Sequence, residues 1–98
     1  MCDKQDYITI NHTEYFGGVA NYKVGDQLTL KKDVDNIYDD EAIMVYGPHD
    51  VKCGYVANSV CSVARGTLSA GRLYDRISDS ASCQISFILD DCIIAQLL

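Results

Sequence analysis

Asn36-Ile-Tyr-Asp-Asp-Glu-Ala-Ile-Met-Val-Tyr46, with Gly54-Tyr-Val-Ala-Asn58 close behind it, sets the pattern for the whole chain. The first half is polar and turn-forming, and it holds Asn36, Tyr38 and Asp39. The second half alternates: Ile43 and Val45 fall on one face, Met44 and Tyr46 on the other. That is the period of a half-buried strand. Gly47-Pro-His-Asp50 turns the chain, and Val51 to Val56 reads as the returning strand. The predicted hairpin carries a Tyr and an Asp at its mouth, a place where a ligand could be held.

Outward from this hairpin the same logic gives further elements. Asp6 to His12 alternates, with Ile8, Ile10 and His12 on one face, and predicts a strand. Glu14-Tyr-Phe-Gly-Gly18 sets aromatics against a glycine pair and predicts a bulge or bend. Lys23-Val-Gly-Asp26 is a turn, and Gln27 to Lys32 is a strand with Leu28 and Leu30 inward. Asn58 to Gly66 is the best helix candidate, capped by Asn58 and ended by Gly66. Arg72 to Ser78 and Cys83 to Leu89 read as strands joined by a hairpin loop at Asp79–Ser82, and Cys92 to Leu98 as a last apolar strand. Short strands with one helix predict a mostly β (α+β) fold, a small closed barrel. The competing architecture is an open sheet with the helix on one face. The expected core is Ile8, Ile10, Leu28, Leu30, Ile43, Val45, Val56, Val60, Ile85, Phe87 and Leu89.

Length and composition bound the function. At 98 residues the chain is expected to be one domain spanning 1–98, with no linker or repeat. Hydrophobic residues make up 48% and charged residues 22%, the balance of a folded chain, not a disordered one. No apolar run reaches spanning length, and the start Met1-Cys-Asp-Lys-Gln-Asp6 has no signal-peptide core, so a cytoplasmic protein without membrane partners is expected. Cys2, Cys53, Cys61, Cys83 and Cys92 are odd in number and widely spaced, which predicts free thiols. There is no C-x-x-C pair, and neither His12 nor His49 makes a zinc-ligand spacing with a Cys, so no metal is expected. No cofactor is expected either: the glycines form no phosphate loop. Nothing local pairs a His with a nucleophile, so an enzyme is not expected. The acidic run Asp33, Asp35, Asp39, Asp40, Glu41 lacks the residues of a calcium loop at its fifth and sixth positions, Ile37 and Tyr38. The net charge of −6 opposes a polyanion unless the basic side chains gather on one face.

The pattern N-x-Y-D followed by A-I-x-V and G-Y-V, in Asn36 to Val56, resembles the HIRAN domain, a module found beside helicase and nuclease domains and as small free-standing bacterial proteins. The resemblance is strongest over residues 14–89. It implies an OB-like six-stranded β-barrel with one or two short helices. It also implies a non-catalytic nucleic-acid-binding module that captures the 3′ end of single-stranded DNA. Catalytic labels attached to the family would belong to other domains of larger relatives. Carried over by position, Tyr38 is the ring that holds the terminal base and Asp39 the acceptor of the terminal hydroxyl. Asn36 opens the motif, Tyr15 is an aromatic at the bend, and Tyr55 stands where DNA-binding members have His. Glu14 stands where those members have Arg, and Asn58 where a Lys would help hold phosphate. Lys23, Lys31, Lys32 and Lys52 are the cations that could compensate. These five site residues are expected to converge on one concave patch at an open end of the barrel. Four of them have a structural alternative: Tyr38 folded over the barrel end, Asp39 capping the turn, Asn36 tolerating left-handed backbone, Tyr15 in the core. The alternative function is a scaffold whose acidic rim binds a protein partner, such as a DNA-processing protein, with DNA binding lost.

Overall fold

The computed structural model describes residues 6–13, 17, 20, 22–37, 41–58, 67–90 and 92–98, with residue 49 described in its backbone alone. Six strands, β1 (Tyr7–Asn11), β2 (Gln27–Lys32), β3 (Ile43–Tyr46), β4 (Lys52–Val56), β5 (Ser80–Ile88) and β6 (Ile93–Leu97), one short helix, α1 (Ala70–Tyr74), and a 3₁₀ turn (Pro48–Asp50) make up the regular structure described. The strands close into an antiparallel barrel in the order β1-β4-β3-β2-β5-β6, with β6 returning to β1. Closure leaves none of the six described strands at an open sheet edge, the usual route to aggregation in a small β protein.

Alternation builds the lumen. Ile8, Ile10, Leu28, Leu30, Ile43, Val45, Val56, Ile85, Ile93 and Ala95 point inward and are buried. Each large aliphatic side chain so placed contributes roughly 1.5–3 kcal/mol by leaving water. Helix α1 plugs one end by adding Ala70 and Leu73 to the same core. Ser69 caps it, its side chain accepting from the Arg72 N–H at 3.3 Å. Asn58, just past β4, pins it to the barrel: its side-chain oxygen accepts from the Gly71 N–H at 2.8 Å.

Several expectations need correction. Arg72 to Ser78 does not form a strand. Ala70, Leu73 and Ile77 all touch the core at helical spacing, and the Ser69 cap starts a helix there. Asp79–Ser82 is no hairpin loop, because β5 already begins at Ser80 and pairs with β2 through Lys31↔Ser80 and Leu30↔Ala81. Phe87 is 59% exposed and Leu89 49%, so neither belongs to the core. The cause is a register shift between Ile85 and Phe87 against β6, which makes Ser86 the extra residue. One extra residue flips everything beyond it to the other face. Ile88 therefore packs against the core, and Phe87 turns outward opposite Ile94. The helix expected at Asn58 to Gly66, with Val60, lies outside the described residues beyond Asn58, as do Glu14 to Phe16 and Gly18 of the expected bend.

Candidate nucleic-acid interface

The hairpin of β3 and β4 is not regular. It pairs Met44↔Tyr55 and Val45↔Gly54, then Tyr46↔Lys52, so Cys53 is the extra residue of a bulge. In an unbroken strand Lys52 and Tyr55, three apart, would face opposite sides. The bulge puts both on the outer wall and sends the Cys53 side chain inward, fully buried. Lys52 Nζ then donates to the Tyr55 hydroxyl at 2.7 Å and lies 4.4 Å from the ring centre. Together these distances place the ammonium at the hydroxyl end of the ring.

Tyr55 has a second aromatic neighbour. β1 ends at Asn11, and His12 follows with a left-handed backbone, φ 61°. That conformation is uncommon outside glycine, though His tolerates it better than most residues. The imidazole meets Tyr55 edge to face, with ring centres 6.5 Å apart. Beside them β1 and β4 approach so closely that a Cβ on Gly54 would fall within van der Waals overlap of the Asn11 backbone carbonyl. The glycine of the Gly-Tyr pair is thus required by packing. Asn11 pairs directly with Tyr55, and its side-chain oxygen is buried without a hydrogen-bond partner.

Across β3 the outer face continues. Lys31 stands opposite Met44, and its Nζ lies 4.8 Å from the centre of the Tyr46 ring. The Tyr46 hydroxyl donates to Met44 Sδ at 3.4 Å. Asp50, the last residue of the 3₁₀ turn Pro48–Asp50, reaches Lys31 at 4.0 Å. Such an exposed pair contributes little and is easily opened. Charge is sorted over the molecule: none of the six strands carries an Asp or Glu, and their charged residues are Lys31, Lys32 and Lys52. The acids that set the net charge of −6 lie outside those strands.

The expected site residues are distributed unevenly. Tyr55 lies on this outer wall. Asn36 sits in the turn after β2, its N–H donating to the Asp33 carbonyl and its side-chain amide to the Asp33 carboxylate, both at 3.2 Å. The left-handed backbone invoked for Asn36 is absent; its place in the turn rests on these bonds to Asp33. Tyr15, Tyr38 and Asp39 lie outside the described residues, as does Glu14. Asn58, in the position where a Lys would serve phosphate, is engaged with Gly71 and, at 3.4 Å, with Glu41. Of the four candidate cations, Lys31 and Lys52 reach this wall. Lys32 lies over Tyr74 of α1 at 4.3 Å, and Lys23 belongs to a turn whose backbone N–H is held by Asp26. Tyr46 and His12 are not marked as site residues by the sequence, nor is Lys31 as more than a candidate cation. Period-2 alternation shows Tyr46 as outward, but the register that brings Lys31 to it is not written in either strand.

Among the described residues the interior offers no comparable chemistry. Burial pushes the Cys83 thiol up to about 12, helped by Cys53, and it raises Cys53 as well, so both stay protonated. Among the described residues no cluster of His, Cys, Asp and Glu could hold a metal, and no helix is long and apolar enough to cross a membrane. An open cleft of about 330 Å³ lies between α1 and the ends of β1 and β6, lined by Leu73, Ile77 and Leu97 and spanned by the Arg76–Asp6 ion pair. It begins at the opposite end of β1 from His12 and shares no residue with the Tyr55 wall.

The fold and this wall define a small six-stranded barrel whose chemistry is on its outside, a binding module in build. A family model, the HIRAN domain, matches residues 7–90, and the chain belongs to that family. The solved structure of a protein from Lactobacillus plantarum is similar in fold, with a TM-score of 0.66 and 19% identity over 94% of this chain and 88% of that one. No curated protein matches the chain.

Proposed function

We propose that this chain is a non-catalytic nucleic-acid-binding module that captures the 3′ end of single-stranded DNA. The observation that carries the reading is Lys52: a cation held at the hydroxyl of Tyr55, on strands without acidic residues, in a chain of net charge −6. A ring offers stacking worth about 1–3 kcal/mol per base, and an adjacent ammonium offers a phosphate contact. In this reading Tyr38 and Tyr15 hold the terminal base, Asn36 orders the turn that bears Tyr38, and Asp39 accepts the terminal hydroxyl. A carboxylate there welcomes a hydroxyl and repels a phosphate. The module would work in the cytoplasm beside DNA-processing proteins.

Fluorescence anisotropy at low salt tests the proposal, using one oligonucleotide sequence ended by a 3′-hydroxyl or a 3′-phosphate. The hydroxyl end should bind more tightly, and Tyr38→Ala or Tyr55→Ala should each cost about 1–3 kcal/mol. Equal binding to both ends without an effect of Tyr38→Ala, or no binding at all, overturns it. A second reading rests on a separate observation: Val34 and Ile37, the latter 85% exposed, project from the turn that carries Asp33 and Asp35. That mixture suits a basic, partly apolar protein segment. Chemical-shift changes at residues 33–37 on adding a Lys-rich amphipathic peptide, with no response to DNA, would favour it.

A further inference from the structure

We infer that the outer face of β2, β3 and β4 is a second subsite, a track that holds the nucleotides lying 5′ of the captured end. The inference rests on the end-capture reading and adds to it residues which that reading does not use: Lys31, Met44, Tyr46 and Asn11. The register sets the track. Lys31, Met44, Tyr55 and Asn11 form one row directly across the four neighbouring strands β2, β3, β4 and β1. Tyr46 stands next to that row, diagonal to both Lys31 and Tyr55. Diagonal neighbours on adjacent strands are about 7–8 Å apart. Two rings at such diagonal positions, each with a lysine ammonium beside it (Lys31 4.8 Å from the Tyr46 centre, Lys52 4.4 Å from the Tyr55 centre, at its hydroxyl end), repeat one unit twice. A ring for the base and a cation for the phosphate is the unit by which proteins hold a single strand without reading its sequence.

Two further observations point the same way. The face matches a polyanion in charge, since the strands that build it carry lysines and no acid. Next to Tyr55, the buried Asn11 side-chain oxygen has no hydrogen-bond partner, and a buried acceptor left so is costly unless something supplies a donor. A nucleobase N–H beside Tyr55 would do so once the Asn11 amide turns outward to meet it. Asp50 is the opposing charge, and at 83% exposure it can swing away from Lys31 into water.

Chain length separates the track from the end site. The measurement is anisotropy at low salt with oligothymidylates of two and of six nucleotides, all with free 3′-hydroxyls. With the track, the hexanucleotide binds about tenfold or more tighter than the dinucleotide. Tyr46→Ala then removes most of that gain and leaves dinucleotide binding unchanged. Lys31→Gln, an exposed change that spares packing, lowers hexanucleotide affinity and flattens its salt dependence by about 0.7 in the log–log slope. If the dinucleotide and hexanucleotide bind equally, and Tyr46→Ala and Lys31→Gln change neither, the track is overturned while end capture stands. If neither oligonucleotide binds, both readings fall.

Discussion

Gly54 shows how one side chain's absence sets the geometry of the whole wall. A Cβ there would drive into a backbone oxygen of β1, an obstacle that cannot rotate away. Gly54→Ala should therefore destabilise the barrel by about 1–3 kcal/mol or more, read as a lower denaturant midpoint with little change in slope. Gly47 is a milder case, because its neighbour is the Tyr22 ring, which can shift. Glu14 carries the functional counterpart of this argument. If the site binds DNA, Glu14→Arg removes a repelling charge and adds an attracting one. Affinity should rise several-fold at low salt, and the log–log salt slope should steepen by about 0.7 for each additional phosphate that the arginine neutralises. A variant that binds no better would place Glu14 away from the strand's path.

At the scale of elements, two bulges and one short helix decide what the barrel presents. The bulge at Cys53 turns Lys52 onto Tyr55, and the bulge at Ser86 turns Phe87 out and Ile88 in. Helix α1 has only five residues, too few to persist alone, so its docking must hold it. Asn58 is central to that docking through the Gly71 N–H. Asn58→Ala should cost about 0.5–2 kcal/mol, the range for a lost helix cap, and should speed amide exchange at Gly71 and Arg72 before it affects β1 to β6. Asn58→Lys would restore the cation of DNA-binding relatives but carries the same loss. If the site binds DNA, this variant should bind it more tightly while unfolding at lower denaturant, and a Lys variant as stable as the parent would show that the Asn58–Gly71 bond matters little.

For the molecule as a whole, the lumen acts as a proton trap at high pH. Cys83 is held up to about 12 from an ordinary 9.0 by burial and then by Cys53, and Tyr22 up to about 12 from 10.0, again first by burial. Between those limits the unfolded chain has released protons that the folded chain keeps. The unfolded state then binds fewer protons, so stability falls as pH rises, at up to about 1.4 kcal/mol per pH unit for Cys83; Tyr22, only partly buried, adds less because solvent screens it. Denaturation midpoints should decline as pH rises from 9 toward 12, and Cys83→Ala should reduce the slope. Burial also predicts an order of labelling by a thiol reagent at neutral pH. Cys92, half-buried, should react before Cys53 and Cys83, whose rates should follow opening of the barrel. Rapid labelling of all three would mean a looser barrel than the one described.

Alternation in Asp6 to His12, Gln27 to Lys32 and Asn36 to Tyr46 is enough to point to a small closed barrel and to put Ile8, Ile10, Leu28, Leu30, Ile43 and Val45 in its core, because burying one face of a strand forces a period of two. The motif around Asn36 to Val56 likewise carries the family. What lies beyond reach is everything that depends on register. Lys52 and Tyr55 belong to opposite faces by counting, and they share a face because a single residue of β4 goes unpaired against β3. Phe87 belongs to the core by counting, and it is outside for the same reason in β5. The helix at Ala70 is not legible because a five-residue segment gives too little periodicity, while the bond that pins it comes from Asn58 at a strand end 13 residues away. Lys31 meets Tyr46 across a strand pair joined by a turn whose length does not specify the pairing. A strand's sequence determines which of its residues seek the core; which residues of neighbouring strands then stand together is decided only when the barrel closes and the bulges fall where closure requires them.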